Sequence, residues 1–339
     1  MKRLRIGVFT LAALSALFSF PSFAQLTVAP QGRLTLSSNT PVMTSDVSGA
    51  GTIYYTPYAG NNIPIYTSGT GWAEHTFSQL TLTLNSSEQT QGTIYDIFAF
   101  LNSGVVTIGV NCYAWGSPLS LITRGPAAAV QIEQLNGIWV NTNGSFCVYN
   151  GATSYNTIAA NSATYLGTVY IPTVGGETTV QFKPTPASGG TANIIGIWNA
   201  YNRVPISSIS RDSNTSWIDT HGTWVDADSS ANNSISWVDG LQQTAVRARY
   251  SALAASNTSP SASAFYLGVN LDAGSGTTPN VFAALTTVSG PNFSEDVEES
   301  FPPQLGLHYV QAVEQVSGTS PSATFYGDGF QSLILQTEY

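Results

Sequence analysis

Leu80-Thr81-Leu82-Thr83-Leu84 alternates apolar and polar side chains with a period of two. Successive side chains on a strand point to opposite faces, so one row meets a core and the other meets water. No segment sustains the 3.6-residue period of a helix, and only Ala127-Ala128-Ala129 hints at a helical turn. Tyr95 to Phe100, YDIFAF, is nearly all apolar, which predicts a central strand covered on both faces. Further strands are predicted at Val105–Val110, Gln131–Val140, Tyr165–Tyr170, Thr178–Phe182, Thr244–Tyr250, Ala264–Asn270, His308–Val316, Ser322–Tyr326 and Ser332–Leu335. Gly, Asn, Ser and Pro clusters separate them. Many short strands at regular spacing indicate an antiparallel sandwich or jelly roll. The 339 residues suffice for about two domains. The expected fold is all-β, with two antiparallel β-sandwich/jelly-roll domains in tandem, 25–205 and 206–339. The Ser/Asn-rich stretch Ser207 to Thr215 has linker composition.

Thr52 to Tyr66, TIYYTPYAGNNIPIY, reads locally as strand, turn, strand. Ile53, Tyr54 and Tyr55 fit a pleated surface. Pro57 and Pro64 lack a ladder donor and mark strand ends or edges. Gly60-Asn61-Asn62 tolerates positive φ, as a tight turn requires. The expectation is an early strand pair of the first sandwich, with tyrosines that pack and hydrogen-bond at the sheet edge or meet another subunit.

Only 9% of the residues are charged while 42% are hydrophobic, so Ser, Thr, Asn, Gln and Gly must cover the surface. The net charge is −9, and Lys2 and Lys183 are the only lysines. A nucleic-acid partner needs a basic footprint, and an anionic lipid surface does too; neither is expected. Residues 1–24 have the order of a secretory signal: Lys2, Arg3 and Arg5, then the apolar run Ile6 to Phe20, then Ser22-Phe23-Ala24. Cleavage is predicted between Ala24 and Gln25. The run is short for a membrane span of about 20 residues, although a retained anchor is the rival reading. Loss of the three basic residues takes the net charge from −9 to −12. The expected location is extracellular or periplasmic, or a virion, with no membrane contact after signal removal.

Cys112 and Cys147 are the only cysteines, and export permits a disulfide; two buried free thiols are the alternative. His75, His221 and His308 lie in unrelated contexts, so no metal and no cofactor is expected. No G-x-S-x-G elbow occurs, and nothing marks a protonated carboxyl among Asp219, Asp226 and Asp228, so catalytic residues are not expected. Trp217-Ile218-Asp219, Trp224-Val225-Asp226 and Trp237-Val238-Asp239 each follow Ser or Thr, at spacings of seven and thirteen. On a strand, Trp and Asp of W-x-D share a face. Trp217, Asp219, Trp224, Asp226, Trp237 and Asp239 are therefore candidates for surface or glycan recognition. The plainer reading makes the tryptophans packing residues and the aspartates turn residues. Glu295, Asp296, Glu298 and Glu299 read as a solvated acidic loop, without the spacing of a calcium loop.

A wider pattern runs through both halves. It comprises Gly32-Arg33-Leu34-Thr35-Leu36, Pro41-Val42, Ile53 to Pro57, Ile63 to Tyr66, Tyr95-Asp96, Phe98, Ala114-Trp115, Ala163 to Thr168 and Tyr201 to Val204. It continues with Trp224, Asn232-Asn233, Gly240-Leu241, Gly306 to Tyr309, Glu314 and Ala323 to Asp328, ATFYGD. In this order the chain resembles uncharacterised virion structural proteins of tailed phages and prophages, tail-fibre-like or capsid-spike-like. The resemblance implies a β-rich, non-enzymatic component of a tail, fibre or spike. Its implied partners are other copies of itself, for example in a trimer, and other virion proteins; a cell-surface glycan is a further partner expected from the W-x-D candidates. The signal-like N-terminus departs from such a family. It supports the alternative of an exported bacterial carbohydrate-binding or adhesive protein. A secreted glycan-active enzyme would rest only on the available carboxylates.

Overall fold

The computed structural model describes residues 28–115, 124, 131–151, 155–257, 263–287, 290 and 292–339. The signal-like segment and Ala127–Ala129 lie outside these residues. The fold is all-β, a multi-domain assembly of packed sheets, and the one helical piece described is the 3-10 turn Ala227–Ser229. No helix among the described residues is long and apolar enough to cross a membrane.

In the first half, an eight-stranded sheet is built around Thr93–Asn102, which lies between Val105–Asn111 and Thr164–Ile171. Tyr95, Ile97 and Ala99 face one core while Ile94, Phe98 and Phe100 face a second. Both faces of YDIFAF are therefore covered, which is why its sequence runs apolar without alternation. The Phe98 ring lies 4.7 Å from Phe146 and 5.6 Å from Tyr165. Such aromatic pairs add about 0.5–1.5 kcal/mol beyond their burial. Cys112 and Cys147 form a disulfide with a Cα–Cα distance of 5.5 Å, beside the Cys112 N–H to Cys147 carbonyl bond of 3.1 Å. Closing a loop of 35 residues contributes about 2–4 kcal/mol in the chain-entropy picture.

Thr52–Pro57 and Asn62–Thr67 both form strands, but they do not pair with each other. The first lies between Gly32–Thr35 and Leu80–Thr83; the second pairs with Gly71–Thr76. The expected local pair is thus corrected. Pro57 ends the first strand, and the next N–H groups, Tyr58 and Ala59, both donate to the Gln31 carbonyl. That anchor turns the chain away before a hairpin ladder can form. Tyr55 is buried against Phe77, and its hydroxyl accepts the Gly32 N–H at 3.0 Å.

The second half is a sandwich. One sheet carries Ser234–Asp239, Gly306–Gly318, Ser263–Leu271 and Phe282–Thr287 in that order. The facing sheet carries Pro205–Ser210, Ser332–Glu338, Val246–Ser256, Ala323–Tyr326 and Trp217–Asp219, with Phe293–Phe301 on the other side of Val246–Ser256. Two expectations are corrected here. Ser207 to Ser210 is not linker; it lies in a strand paired with Ser332–Glu338, from Pro205 against Glu338 to Ser210 against Leu333. The acidic cluster is not a loop but the strand Phe293–Phe301, where Glu298 pairs with Arg247 and Asp296 with Arg249.

The sheets also cross the expected boundary at 205/206. Asn193–Ile195 runs parallel to Ser234–Asp239, and Thr178–Val180 and Val47–Ala50 extend that same sheet. One apolar cluster consequently runs from Leu34 and Ile53 through Ile195 and Trp237 to Leu335.

Candidate functional site

The W-x-D residues are held by the second sandwich, and they do not form one surface. Trp237 and Asp239 end the strand Ser234–Asp239 and are 2% and 0% exposed. Asp239 accepts four main-chain N–H groups, from Leu241, Gln242, Gln243 and Thr244, at 2.8–3.2 Å. It closes a turn, as short polar side chains do. Burial pushes its carboxyl up, against the pull of those four donors. Asp219 is also buried and accepts the His221 N–H at 2.9 Å. Trp224 is buried against Tyr266 and Phe282, with ring centroids at 6.1 and 5.8 Å. Only Trp217 and Asp226 are half-buried. The six-residue recognition surface is corrected accordingly. The shared face of Trp237 and Asp239 is an interior one, so packing and turn closure are what these side chains do.

What the fold gathers instead is a group of carboxylates inside the second sandwich. On Gly306–Gly318, the side chains of Val310, Ala312, Glu314 and Val316 share one face by the period of two. Val310, Ala312 and Val316 belong to the core, so Glu314 projects between the sheets and is 1% exposed. Its Oε1 accepts the Trp217 indole N–H at 2.5 Å and the Asp228 N–H at 3.1 Å. Asp228 Oδ2 accepts the Asn214 amide at 2.6 Å. Asp212, fully buried, accepts the N–H groups of Asn214 at 2.8 Å and Gly189 at 3.1 Å. Its own N–H donates to Gln331 at 3.0 Å. Glu314 and Asp219 each keep one buried oxygen without a hydrogen-bond partner, whereas the Asp212 side chain meets Asp228 and the buried Tyr250 hydroxyl meets Gln331.

The electrostatics agree with this crowding. Burial pushes the Glu314 carboxyl well above its ordinary range, and the nearby Asp219 and Asp228 charges push it further. Burial and the neighbouring Asp212 raise Asp228. Tyr250 is raised well above its usual value by burial, then by Glu314, Asp212 and Asp228. Among the described residues, no ion pair joins Asp212, Asp228 or Glu314 to a basic side chain. Sequence reading placed Glu314 in the wider pattern but gave it no site role, although one signal was legible: it is the single acid on a face otherwise made by Val310, Ala312 and Val316. Asp212 and Asp228 carry no such signal, because topology alone brings them near it.

Beside Trp237, His308 spans two elements. Its Nδ1 lies 2.6 Å from Asp272 Oδ2 and its Nε2 lies 3.1 Å from the Leu305 carbonyl. Both acceptors suit a ring with two N–H groups, the imidazolium. Burial alone lowers the imidazole pKa, but the Asp272 hydrogen bond and charge, with the Leu305 carbonyl, outweigh it and leave it raised. A raised pKa contributes stability that is fully present below the unfolded value of 6.5 and is lost as pH rises through the folded value. The expected result is a urea midpoint that falls as pH is raised above about 6.5, with a smaller fall in His308→Gln.

At the margin of the same sheet, Phe282–Thr287, FAALTT, pairs among the described residues on one side, with Ser263–Leu271. It carries no charge, and Phe282 and Val281 are 49% and 44% exposed. Phe282, Tyr266 and Trp224 form a triangle of rings.

No family model matches the chain. No curated protein matches it. Among solved structures, the particle of infectious bursal disease virus, Gx strain, overlays with a TM-score of 0.25 at 13% identity, covering 92% of this chain and 74% of that chain. The Gt strain of the same virus gives 0.27 at 13% identity with the same coverage. The insecticidal delta-endotoxin Cry8Ea1 from Bacillus thuringiensis gives 0.21 at 7% identity, covering 90% of this chain and 51% of that chain. At such TM-scores and identities these overlays carry no argument about what this chain does.

Proposed function

We propose that the chain is a non-enzymatic structural protein of a tailed-phage-type particle, a fibre, spike or decoration component. It acts by assembly with copies of itself and with other particle proteins, and by recognition of a cell surface. The observation that carries this reading is the uncharged margin strand Phe282–Thr287 with its exposed Phe282. Proteins that stay monomeric protect such edges with charge, proline or a covering element. This edge carries no charge and no proline, which suits coverage by a neighbouring subunit. The ordered resemblance to phage virion proteins and the ion-poor composition point the same way. The buried carboxylates of the second sandwich are closed to a polymeric substrate, which supports a role without catalysis.

Sedimentation of the purified chain is expected to give an oligomer. Ala284→Lys, which places a charge on an exposed edge position, is expected to shift it toward monomer with a change in stability within about 0.5 kcal/mol. A wild-type monomer at micromolar concentration would count against assembly through this edge. An exported carbohydrate-binding protein is the second reading, favoured by the signal-like order of residues 1–24. Mass spectrometry of purified particles against culture supernatant separates the two. A chain absent from particles, and beginning at Gln25 in the supernatant, would overturn the virion reading.

A further inference from the structure

We propose that the first half carries a binding cleft for a neutral glycan, between the loop 85–88 and the two strands that carry Tyr149 and Tyr155. These tyrosines stand directly opposite each other on the antiparallel strands Phe146–Tyr149 and Tyr155–Ile158, so both rings lie on one face. Their centroids are 6.1 Å apart and the rings are inclined by 58°. Tyr149 is buried, and its hydroxyl accepts the Asn85 amide at 3.3 Å. Tyr155 is 51% exposed. Its hydroxyl donates to the Glu88 carboxylate, and this bond holds the phenol above its ordinary pKa. Between the loop and the rings lies a cavity of about 700 Å³, open to solvent and edged by the exposed hydroxyls of Thr83, Ser86 and Ser87. That size falls within the roughly 300–1,000 Å³ of small-molecule sites.

Both walls are fixed before a ligand arrives. Asn85 Oδ1 accepts the Ser87 N–H at 2.9 Å, and the Asn85 carbonyl accepts the N–H groups of Glu88 and Gln89 at 3.0 and 2.8 Å. Behind the loop, the Tyr95 hydroxyl donates to the Glu88 carbonyl at 3.0 Å, and the Gly176 N–H to the Gln89 carbonyl at 2.7 Å. Gly176 has a φ of +76°, and a Cβ there would meet the Ser86 nitrogen at 2.6 Å, so the loop is backed at close contact. On the other wall, the Cys112–Cys147 disulfide anchors the strand that ends at Tyr149. Such preorganisation lowers the cost of binding. The lining selects the ligand. An accessible ring face suits the C–H face of a pyranose, while a carboxylate and hydroxyls suit its hydroxyl edge. No lysine or arginine lines the cavity, and Glu88 repels phosphate, sulfate and carboxylate groups, which disfavours nucleotides and acidic sugars. None of the W-x-D residues takes part. The cleft gives the cell-surface recognition proposed above a place and a ligand class, and it rests on that reading for the source of the glycan.

The test uses the full chain. On a printed panel of neutral hexose and N-acetylhexosamine oligosaccharides, beside sialylated and sulfated ones, binding is expected in the neutral set only. Calorimetry with the best neutral oligosaccharide of that panel gives the wild-type Kd. Tyr155→Ala and Glu88→Ala are each expected to weaken binding by about tenfold or more. Tyr155→Phe keeps the ring and is expected to stay within about threefold of wild type. Ser87→Trp fills the cleft from an exposed position; it is expected to abolish binding with a Tm within about 2 °C of wild type. Phe330→Ala, which removes a 61% exposed ring from the second half, is expected to bind as wild type does. No binding to any neutral oligosaccharide, or stronger binding to the acidic set, would overturn the proposal. So would binding that survives Tyr155→Ala and Ser87→Trp, or that falls equally in Phe330→Ala. Mass spectrometry of particles judges the virion reading separately. A chain present in particles that binds no glycan overturns this cleft alone, and a chain absent from particles that binds through Tyr155 upholds the cleft alone.

Discussion

Replacing Asp96 with alanine is expected to destabilise the chain by about 3–5 kcal/mol, measured by urea denaturation. Asp96 is fully buried on the central strand Thr93–Asn102. Its carboxylate receives Arg124 Nε at 2.9 Å and Nη2 at 3.4 Å, and the Thr168 hydroxyl at 2.7 Å. The guanidinium stacks over Trp115 and Tyr165, 4.7 and 5.1 Å from their centroids, and donates to the Gly240 carbonyl at 2.5 Å. The loss would come mostly from the charge left behind. Arg124 would stay buried between two rings without its counter-ion, a condition far costlier than the net worth of the pair. The double variant Asp96→Ala/Arg124→Met is therefore expected to lose less than Asp96→Ala alone. A double variant that loses the sum of the two single losses would show that the pair is not coupled.

Trp237→Ala is expected to cost about 3–5 kcal/mol, as removal of a large buried aromatic does. The indole is 2% exposed, packs 5.9 Å from the His308 ring and sits in the cluster shared by both halves. Circular dichroism melting is the direct check. The same variant discriminates between roles for the W-x-D motifs. Any loss of glycan binding in Trp237→Ala should track the unfolded fraction, since the side chain has no surface to offer. Trp217→Ala, at a half-buried position stacked on Phe325, tests recognition with less damage to the fold. Glycan binding retained in folded Trp217→Ala would remove that indole from any recognition surface.

The all-β class was legible because strand patterning is local. Leu80–Thr83 shows one face to the core, and YDIFAF shows two. Pairing was not legible, because it depends on where distant donors find acceptors. Nothing within Thr52–Tyr66 reveals that Gln31 captures the N–H groups of Tyr58 and Ala59 and parts the two strands. Nor does Ser207–Ser210, polar throughout, announce a ladder with Ser332–Glu338; main-chain hydrogen bonds hold it whatever its side chains. In the W-x-D motifs the shared face was readable, but its direction was not. Whether that face meets water or the opposing sheet is set by packing. Glu314 stood out against Val310, Ala312 and Val316, whereas Asp212, Asp219 and Asp228 became its neighbours only through the crossing of two sheets.

The joining of both halves in one sheet also has a bearing on how the chain is made. Arg33 Nη2 donates to the main-chain oxygen of Tyr339 at 3.0 Å, a contact between residues 306 apart in sequence. Pro205–Ser210 likewise waits for Ser332–Glu338. At about 5–20 residues per second, ribosomes take roughly 15–60 s to span such a separation. During that interval the emerged N-terminal half holds Arg33 without its last acceptor, and its sheets have unfinished margins. Completion of these sheets is therefore a late event, and until then their unfinished margins are open to pairing with neighbouring chains.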